Sequence, residues 1–304
     1  MAVRLEPREV GIRWTEEGKD AFDRIAAAWD DCAQAMDAPP VCDPVFMRCL
    51  AECFLSPDDA FSLSLCWQGQ RLMAAVPTLR RGKLPKTRVS FDNSHMPYSL
   101  FPIDLREVGI ADEVLAHLMK GTDHLVFRRM HPKAAYTQAL VRAAKRLGYP
   151  AVVASSWLAD AFVRFPKSWE EYRKNVSRNL WGTTERMLRK LEKLGRLEFE
   201  VVTSGPSLRP ALDECLHLET RGWKGQYGTP ILRDPQAHRF YTSLARGLGA
   251  RGRFALYLLR LDGRIIAYEY CLRQRGRIDM LKISYDPDLA SYGPGNALRW
   301  LLFK

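Results

Sequence analysis

The stretch Phe254–Lys304, FALYLLRLDGRIIAYEYCLRQRGRIDMLKISYDPDLASYGPGNALRWLLFK, decides the fold. It opens with three apolar runs of strand length, Phe254 to Leu261, Arg264 to Arg273 and Arg277 to Tyr285. Asp262-Gly263 between the first two is a two-residue hairpin signal, because such a turn needs positive φ at its central positions. A loop, Asp286 to Gly295, then leads into a helix expected to begin near Asn296. Gly293 and Gly295 permit backbone angles and close approach that side chains forbid. The helix after them points free N–H groups and the positive end of its dipole back at the loop. Three strands, a glycine-bearing loop and a helix can therefore present backbone donors to an anion such as a pyrophosphate.

Upstream, the second half reads in the same style. Ala161 to Phe165 reads as a strand. Ser168 with Glu171 forms a capping box at the start of a helix. Leu180, Met187, Leu188, Leu191 and Leu194 give a second helix an apolar stripe, which Gly195 ends. Leu197 to Thr203 reads as a strand, and Ser207 to Thr220 and His238 to Leu248 as helices. In the first half a helix over 18–37 stops at Pro39-Pro40, and a shorter one spans 43–55. Phe61 to Trp67 and Arg71 to Leu79 are strands joined by Gln68-Gly69-Gln70. A short strand begins at Val89, and helices over 112–120 and 134–147 flank a strand at His124 to Arg128. A last strand falls near Ala151 to Ser155. The expected fold class is α/β with mixed sheets, in two domains, 1–155 and 156–304, with Gly148-Tyr149-Pro150 near the boundary.

Composition agrees with that reading. The chain has 304 residues, 47% hydrophobic and 27% charged, enough to bury a core in each of two domains. Disorder, collagen-like repeats and a coiled-coil rod are excluded by the even spread of apolar and aromatic residues. No stretch reaches the length of a membrane span. The first twenty residues lack the apolar core of a signal peptide, so a cytoplasmic location is expected, with peripheral attachment at the inner membrane face left open. Seven cysteines, an odd number without a CxxC pair, fit buried thiols in a reducing compartment. Cys49 and Cys53 share a helical face, but the remaining gaps match no usual zinc pattern, and no metal is expected.

The net charge of +11 is concentrated. Between residues 164 and 196, ten basic residues face four glutamates. Such a field favours an anionic partner: a nucleotide, a phosphorylated substrate, a nucleic acid or an acidic membrane face. The sequence shows no helix-turn-helix, zinc finger or aromatic RNA-binding strand, so no stable nucleic acid complex is expected.

For chemistry, Glu269 stands out. It sits in the run Arg264 to Arg273, alternating with Ile265, Ala267 and Cys271, where desolvation raises a carboxylate pKa toward the range of a general base. An ion pair with Lys282 on the next strand is the competing reading. Glu219, beside Arg221, Trp223 and Lys224, is a second catalytic candidate, and Trp223 offers a flat face on which a sugar ring can stack. Asp286 is the third, with opening of the loop turn as its structural alternative. There is no Ser-His-Asp order, HExxH pair or Walker loop, and His217 and His238 read as structural or surface residues.

The second half resembles the GNAT-related acetyltransferases of the CelD and FemAB-like branch. The likeness rests on an ordered set. It comprises the basic segment Tyr172 to Lys190, Glu219-Thr220-Arg221-Gly222-Trp223-Lys224-Gly225, Gly228-Thr229-Pro230-Ile231 and Arg239-Phe240-Tyr241. The hairpin Leu261 to Ala267 follows, and then Lys282-Ile283-Ser284-Tyr285-Asp286-Pro287 leading to Tyr292-Gly293-Pro294-Gly295. It covers residues 160–304 well and the first half more loosely. It implies two tandem GNAT-like domains with the acyl-CoA N-acyltransferase fold, acetyl-CoA as co-substrate, and an amine acceptor on an amino sugar or a polysaccharide or cell-envelope precursor. Carried over, Tyr285, Tyr292, Gly293, Gly295 and Asn296 would face the CoA. Strand 277–285 would run beside its pantetheine arm, and Arg221, Trp223, Lys224 and Lys282 would meet the acceptor. The loop has fewer glycines than the usual GNAT signature, and the helix ends at Lys304 where the family continues into further strands, so the second domain is expected to be shortened. Two other readings stay open: a FemAB-type aminoacyltransferase using aminoacyl-tRNA, and a non-catalytic scaffold of the same fold.

Overall fold

A computed structural model describes residues 11–153, 162–222 and 230–304. The chain divides into two compact units, Met1–Ala159 and Asp160–Lys304, each with its own sheet.

In the first unit, β1 (Ile12–Glu17), β2 (Ala60–Gln68), β3 (Arg71–Arg81) and β4 (Thr87–Ser90) form an antiparallel run, and β5 (His124–Val126) joins β4 in parallel. The parallel step needs a crossover, and the helix Ile110–Met119 supplies it. That helix and Ala135–Arg146 cover one face of the sheet, where Met73, Val76, Ile110, Val114, Leu118 and Leu140 share a core. The expected helix over 18–37 is broken at Ile25 into Ala21–Arg24 and Ala26–Ala35. All seven cysteines are free and buried.

A polar network crosses this sheet at Glu16 of β1. Ser62 and Ser64 of β2 donate to its carboxylate, His117 Nε2 lies 2.7 Å from Oε1, and the buried Arg88 of β4 is 3.6 Å away. Burial alone would raise this carboxyl, but the hydrogen bonds from His117, Ser62 and Ser64 and the charge of Arg88 outweigh it and lower the pKa from 4.5 to about 2. A carboxylate depressed in the folded state stabilises the fold above its unfolded pKa and loses that contribution as pH falls. Thermal melts between pH 5 and pH 2 should therefore show a falling transition temperature, with a shallower slope in Glu16→Gln. Equal slopes in the two proteins would remove Glu16 from the acid response.

In the second unit the antiparallel sheet runs β6-β7-β8-β9, with β6 at Leu197–Val202, β7 at Phe254–Leu261, β8 at Arg264–Gln274 and β9 at Arg277–Tyr285. Asp262-Gly263 and Arg275-Gly276 close the two hairpins, all four residues at positive φ, as a primed two-residue turn requires. Asp262 also holds the start of β6, since its carboxylate accepts from Arg196 N at 2.8 Å and its own N–H donates to Arg196 O. One sheet face packs on the helices Arg178–Glu192 and Pro294–Phe303, with Leu191, Tyr257, Leu259, Ala267, Cys271, Ala297 and Leu298 in one cluster. The opposite face meets the helices Leu208–Arg221 and Pro235–Gly249, where Tyr270 Oη donates to Tyr241 O. No described helix is long and apolar enough to cross a membrane.

Two strand expectations fail where they can be checked. Residues 162–165 and 151–153 form no strand, and Val152, Phe162, Val163 and Phe165 are exposed. Their β-branched and aromatic content suits a pleated surface only when a neighbouring strand is there to pair with. The remainder of both segments, 154–161, lies outside the described residues. Ser168 does cap the helix Trp169–Asn175, accepting from Glu171 N.

Candidate active site

The chemistry gathers where β8, β9 and the terminal helix meet. After β9, Asp286 opens a short 3-10 turn, Pro287–Tyr292, by accepting from Asp288 N. Gly293 then takes left-handed angles (φ 59°, ψ 48°) and becomes the N-cap of the helix Pro294–Phe303. The helix starts two residues before the expected Asn296, because Pro294 is preset for the first helical position and Gly293 supplies the reversal before it. An added Cβ at Gly293 would lie 2.5 Å from Met187 Sδ, so the turn is pressed against the helix Arg178–Glu192.

This turn forms one wall of a cleft of about 300 Å³. Ile283, Ser284 and Tyr285 of β9 form another, with Gly293, Gly295 and Asn296 at the helix start and Glu269 and Arg299 in the floor. Four of the carried-over positions, Tyr285, Gly293, Gly295 and Asn296, thus lie on one concavity with the candidate base Glu269. Tyr292 does not line it, and packs instead against the core beneath.

Glu269 is 2% exposed and lies across from Tyr257 on β7 and Ile283 on β9. Its ion-pair partner is Arg299, with Nε at 2.9 Å and Nη2 at 2.8 Å from Oε1. The expected alternative, Lys282, is ruled out by the pleat. Lys282 pairs in register with Tyr270, so it projects from the opposite face, where its ammonium lies 5.2 Å from the Tyr241 ring centre. The second carboxylate oxygen, Oε2, is buried with no hydrogen-bond partner among the described residues. Burial pushes the Glu269 carboxyl above its ordinary 4.5, and the charge and hydrogen bond of Arg299 pull it back only in part. Of the neighbours expected to share its face, Ala267 and Cys271 do so. A register shift at Leu259/Arg260 brings Ile266 rather than Ile265 into that core.

The other candidates lie apart from the cleft lining. Glu219 is buried and accepts from Ile231 N at 2.8 Å, tying the helix Leu208–Arg221 to the segment after it. Asp286 is fully buried and receives Arg221 at 3.2 Å and Arg264 at 2.7 Å, while Arg221 also reaches Asp288 at 2.6 Å. Both carboxylates are engaged in holding chain segments together. Trp223 and Lys224 lie outside the described residues. Arg299 escaped the sequence reading, although a lone cation within the apolar run Asn296–Phe303 was the signal that pointed to it. Among the described residues no group of three or more His, Cys, Asp or Glu is arranged to hold a metal ion.

Residues 178–304 match the family described as acetyltransferase (GNAT) domain. The match falls within the second unit and spans most of its length. The strand meander, the glycine turn, the terminal helix and the cleft all lie within the matched residues. No curated protein matches the chain. Solved structures similar to the whole chain include a tandem GNAT protein from the clavulanic acid biosynthesis pathway, at 14% identity and a TM-score of 0.41, over 95% of this chain and 83% of that one. The C-terminal domain (DUF2156) of a putative lysylphosphatidylglycerol synthetase from Agrobacterium fabrum is 13% identical with a TM-score of 0.49, over 93% and 73%. A ribosomal-protein-alanine N-acetyltransferase from Brucella melitensis biovar Abortus 2308 is 16% identical with a TM-score of 0.31, and pairs 51% of this chain with 99% of that one.

Proposed function

We propose that the chain is an N-acyltransferase that moves an acetyl group from acetyl-CoA to an amine of an amino sugar or a polysaccharide or cell-envelope precursor, with residues 156–304 as the catalytic domain. One observation carries the reading: a single cleft is lined both by the buried Glu269, whose Oε2 has no partner among the described residues, and by the glycine turn at the start of the helix Pro294–Phe303. The residues suit such a donor. The first-turn N–H groups at Gly295 and Asn296 have no intrahelical acceptor, and with the helix dipole they suit a pyrophosphate. Acetyl-CoA supplies the activated thioester. The acceptor amine arrives as an ammonium, and Glu269 removes its proton at Oε2, a role for which a carboxylate raised by burial is suited.

The basic stretch favours an anionic partner beyond the co-substrate. All ten of its Arg and Lys residues between 164 and 196 are exposed, with Arg173 stacked on Trp181. In the acetyltransferase reading this face meets a phosphorylated acceptor or the inner membrane face. In a FemAB-type reading it meets aminoacyl-tRNA.

Calorimetric titration decides between the donors. Saturable acetyl-CoA binding is the expected result. Binding of a non-hydrolysable aminoacyl-tRNA analogue alone, with steep salt dependence, would transfer the assignment to the aminoacyltransferase. Heat with neither ligand would leave a non-catalytic scaffold.

A further inference from the structure

We propose that Arg299 is the positioning residue of this site: by gripping Glu269 through one oxygen, it fixes the carboxylate at the cleft and leaves the other oxygen free to accept. The proposal rests on the reading of Glu269 as the base.

The argument starts from asymmetry. A guanidinium facing a carboxylate usually takes both oxygens in a two-pronged pair. Here Nε and Nη2 of Arg299 both converge on Oε1, at 2.9 and 2.8 Å, and Oε2 has no donor among the described residues. An unpaired carboxylate oxygen in a side chain only 2% exposed is costly, and buried polar atoms are normally satisfied. Glu269 lines the cleft, so an N–H that enters beside it can complete the orphan oxygen. Arg299 itself remains 39% exposed, rooted in the helix that begins at the glycine turn. The same short helix therefore sets both the donor end of the cleft and the orientation of the base.

The surroundings give Arg299 sole charge of that task among the described residues. From β9 the neighbour is Ile283, from β7 Tyr257, and along β8 Ala267 and Cys271. The helix Arg178–Glu192 contributes Leu188 and Leu191 to this core. Asp279 of β9 and Arg273 of β8 act on Cys271, and among the described residues Arg299 is the charged group that acts on Glu269. Burial raises the carboxyl and Arg299 restrains it, so removing the guanidinium raises the pKa further.

The test is a titration of the Glu269 carboxyl by 13C NMR in the full chain, its resonance assigned by its loss in Glu269→Gln, alongside acetyl-CoA calorimetry. Arg299→Gln should raise the apparent pKa by about one unit or more, and Arg299→Lys, which restores charge without the fork, should fall between it and the parent. Acetyl-CoA affinity should stay within about twofold in both. An unmoved carboxyl titration would overturn the proposal. So would a loss of about tenfold or more in acetyl-CoA affinity, which would make Arg299 a phosphate contact instead. The base reading fails separately, by retained turnover in Glu269→Gln whatever the titration of the Arg299 variants shows.

Discussion

Glu269→Gln is expected to lower acetyl transfer by roughly 10²–10⁴-fold while leaving acetyl-CoA affinity within about twofold, the range by which a positioned general base contributes. The amide matches the carboxylate in shape, and its oxygen can still accept from Arg299, so the cleft should keep its form. The sign of the stability effect is also set. A carboxyl whose folded pKa is raised binds its proton more tightly in the fold, so as pH rises past the unfolded value the buried charge costs stability. The uncharged amide does not carry that cost, so the variant should melt at or slightly above the parent at neutral pH. In the parent, turnover should fall as pH drops through the raised pKa, giving an acid limb above the ordinary carboxylate range. A pH–rate profile of the residual activity that keeps this limb in Glu269→Gln would remove Glu269 as the base.

Gly293→Val should have the second large effect, and it acts on binding and folding together. At φ 59° and ψ 48° a residue with a Cβ is strained by about 1–2 kcal/mol, and branching at Cβ adds to this. The new Cβ also meets Met187 Sδ at 2.5 Å, so that side chain must move within the contact between the two helices. A combined cost of about 2–3 kcal/mol corresponds to a fall in melting temperature of roughly 5–10 °C for a domain of this size. The backbone must also leave the conformation that aims the helix N-terminus at the cleft, so acetyl-CoA binding should be lost. Gly293→Asn, which tolerates left-handed angles, should recover part of both. If Gly293→Val bound acetyl-CoA with parental affinity, the turn would not be the pyrophosphate cradle.

How much of this was legible in the sequence depended on how local the signal was. The three-strand meander was readable because Asp262-Gly263 marks the first turn and the apolar runs match strand lengths. Glu269 was readable as a carboxylate among apolar neighbours on one strand. Its partner was not. Arg299 lies 30 residues away, and the nearer cation, Lys282, looked plausible until the register put it on the other face. Asp286 and Glu219 show the same limit from the other side. A carboxylate in a loop or late in a helix looks available in sequence, and only packing reveals Arg221, Arg264 or a backbone N–H already held by it. Residues 151–153 and 162–165, expected as parts of strands, had composition but no partner among the described residues, and pairing is not written in composition.

The buried thiols have a practical consequence for an enzyme whose proposed product is a free thiol. Burial pushes Cys32, Cys49 and Cys66 up to about 12, and Cys215 and Cys271 well above the usual value. At pH 7 a thiol of pKa 12 is ionised in only about one molecule in 10⁵, and a closed core keeps reagents from it. A chromogenic disulfide can therefore report released CoA with little background from the protein. The same reagent becomes a conformational probe once turnover is absent. Five cysteines belong to the first unit and two to the second, so the stoichiometry of thiols appearing on heating reports which half of the molecule opens first.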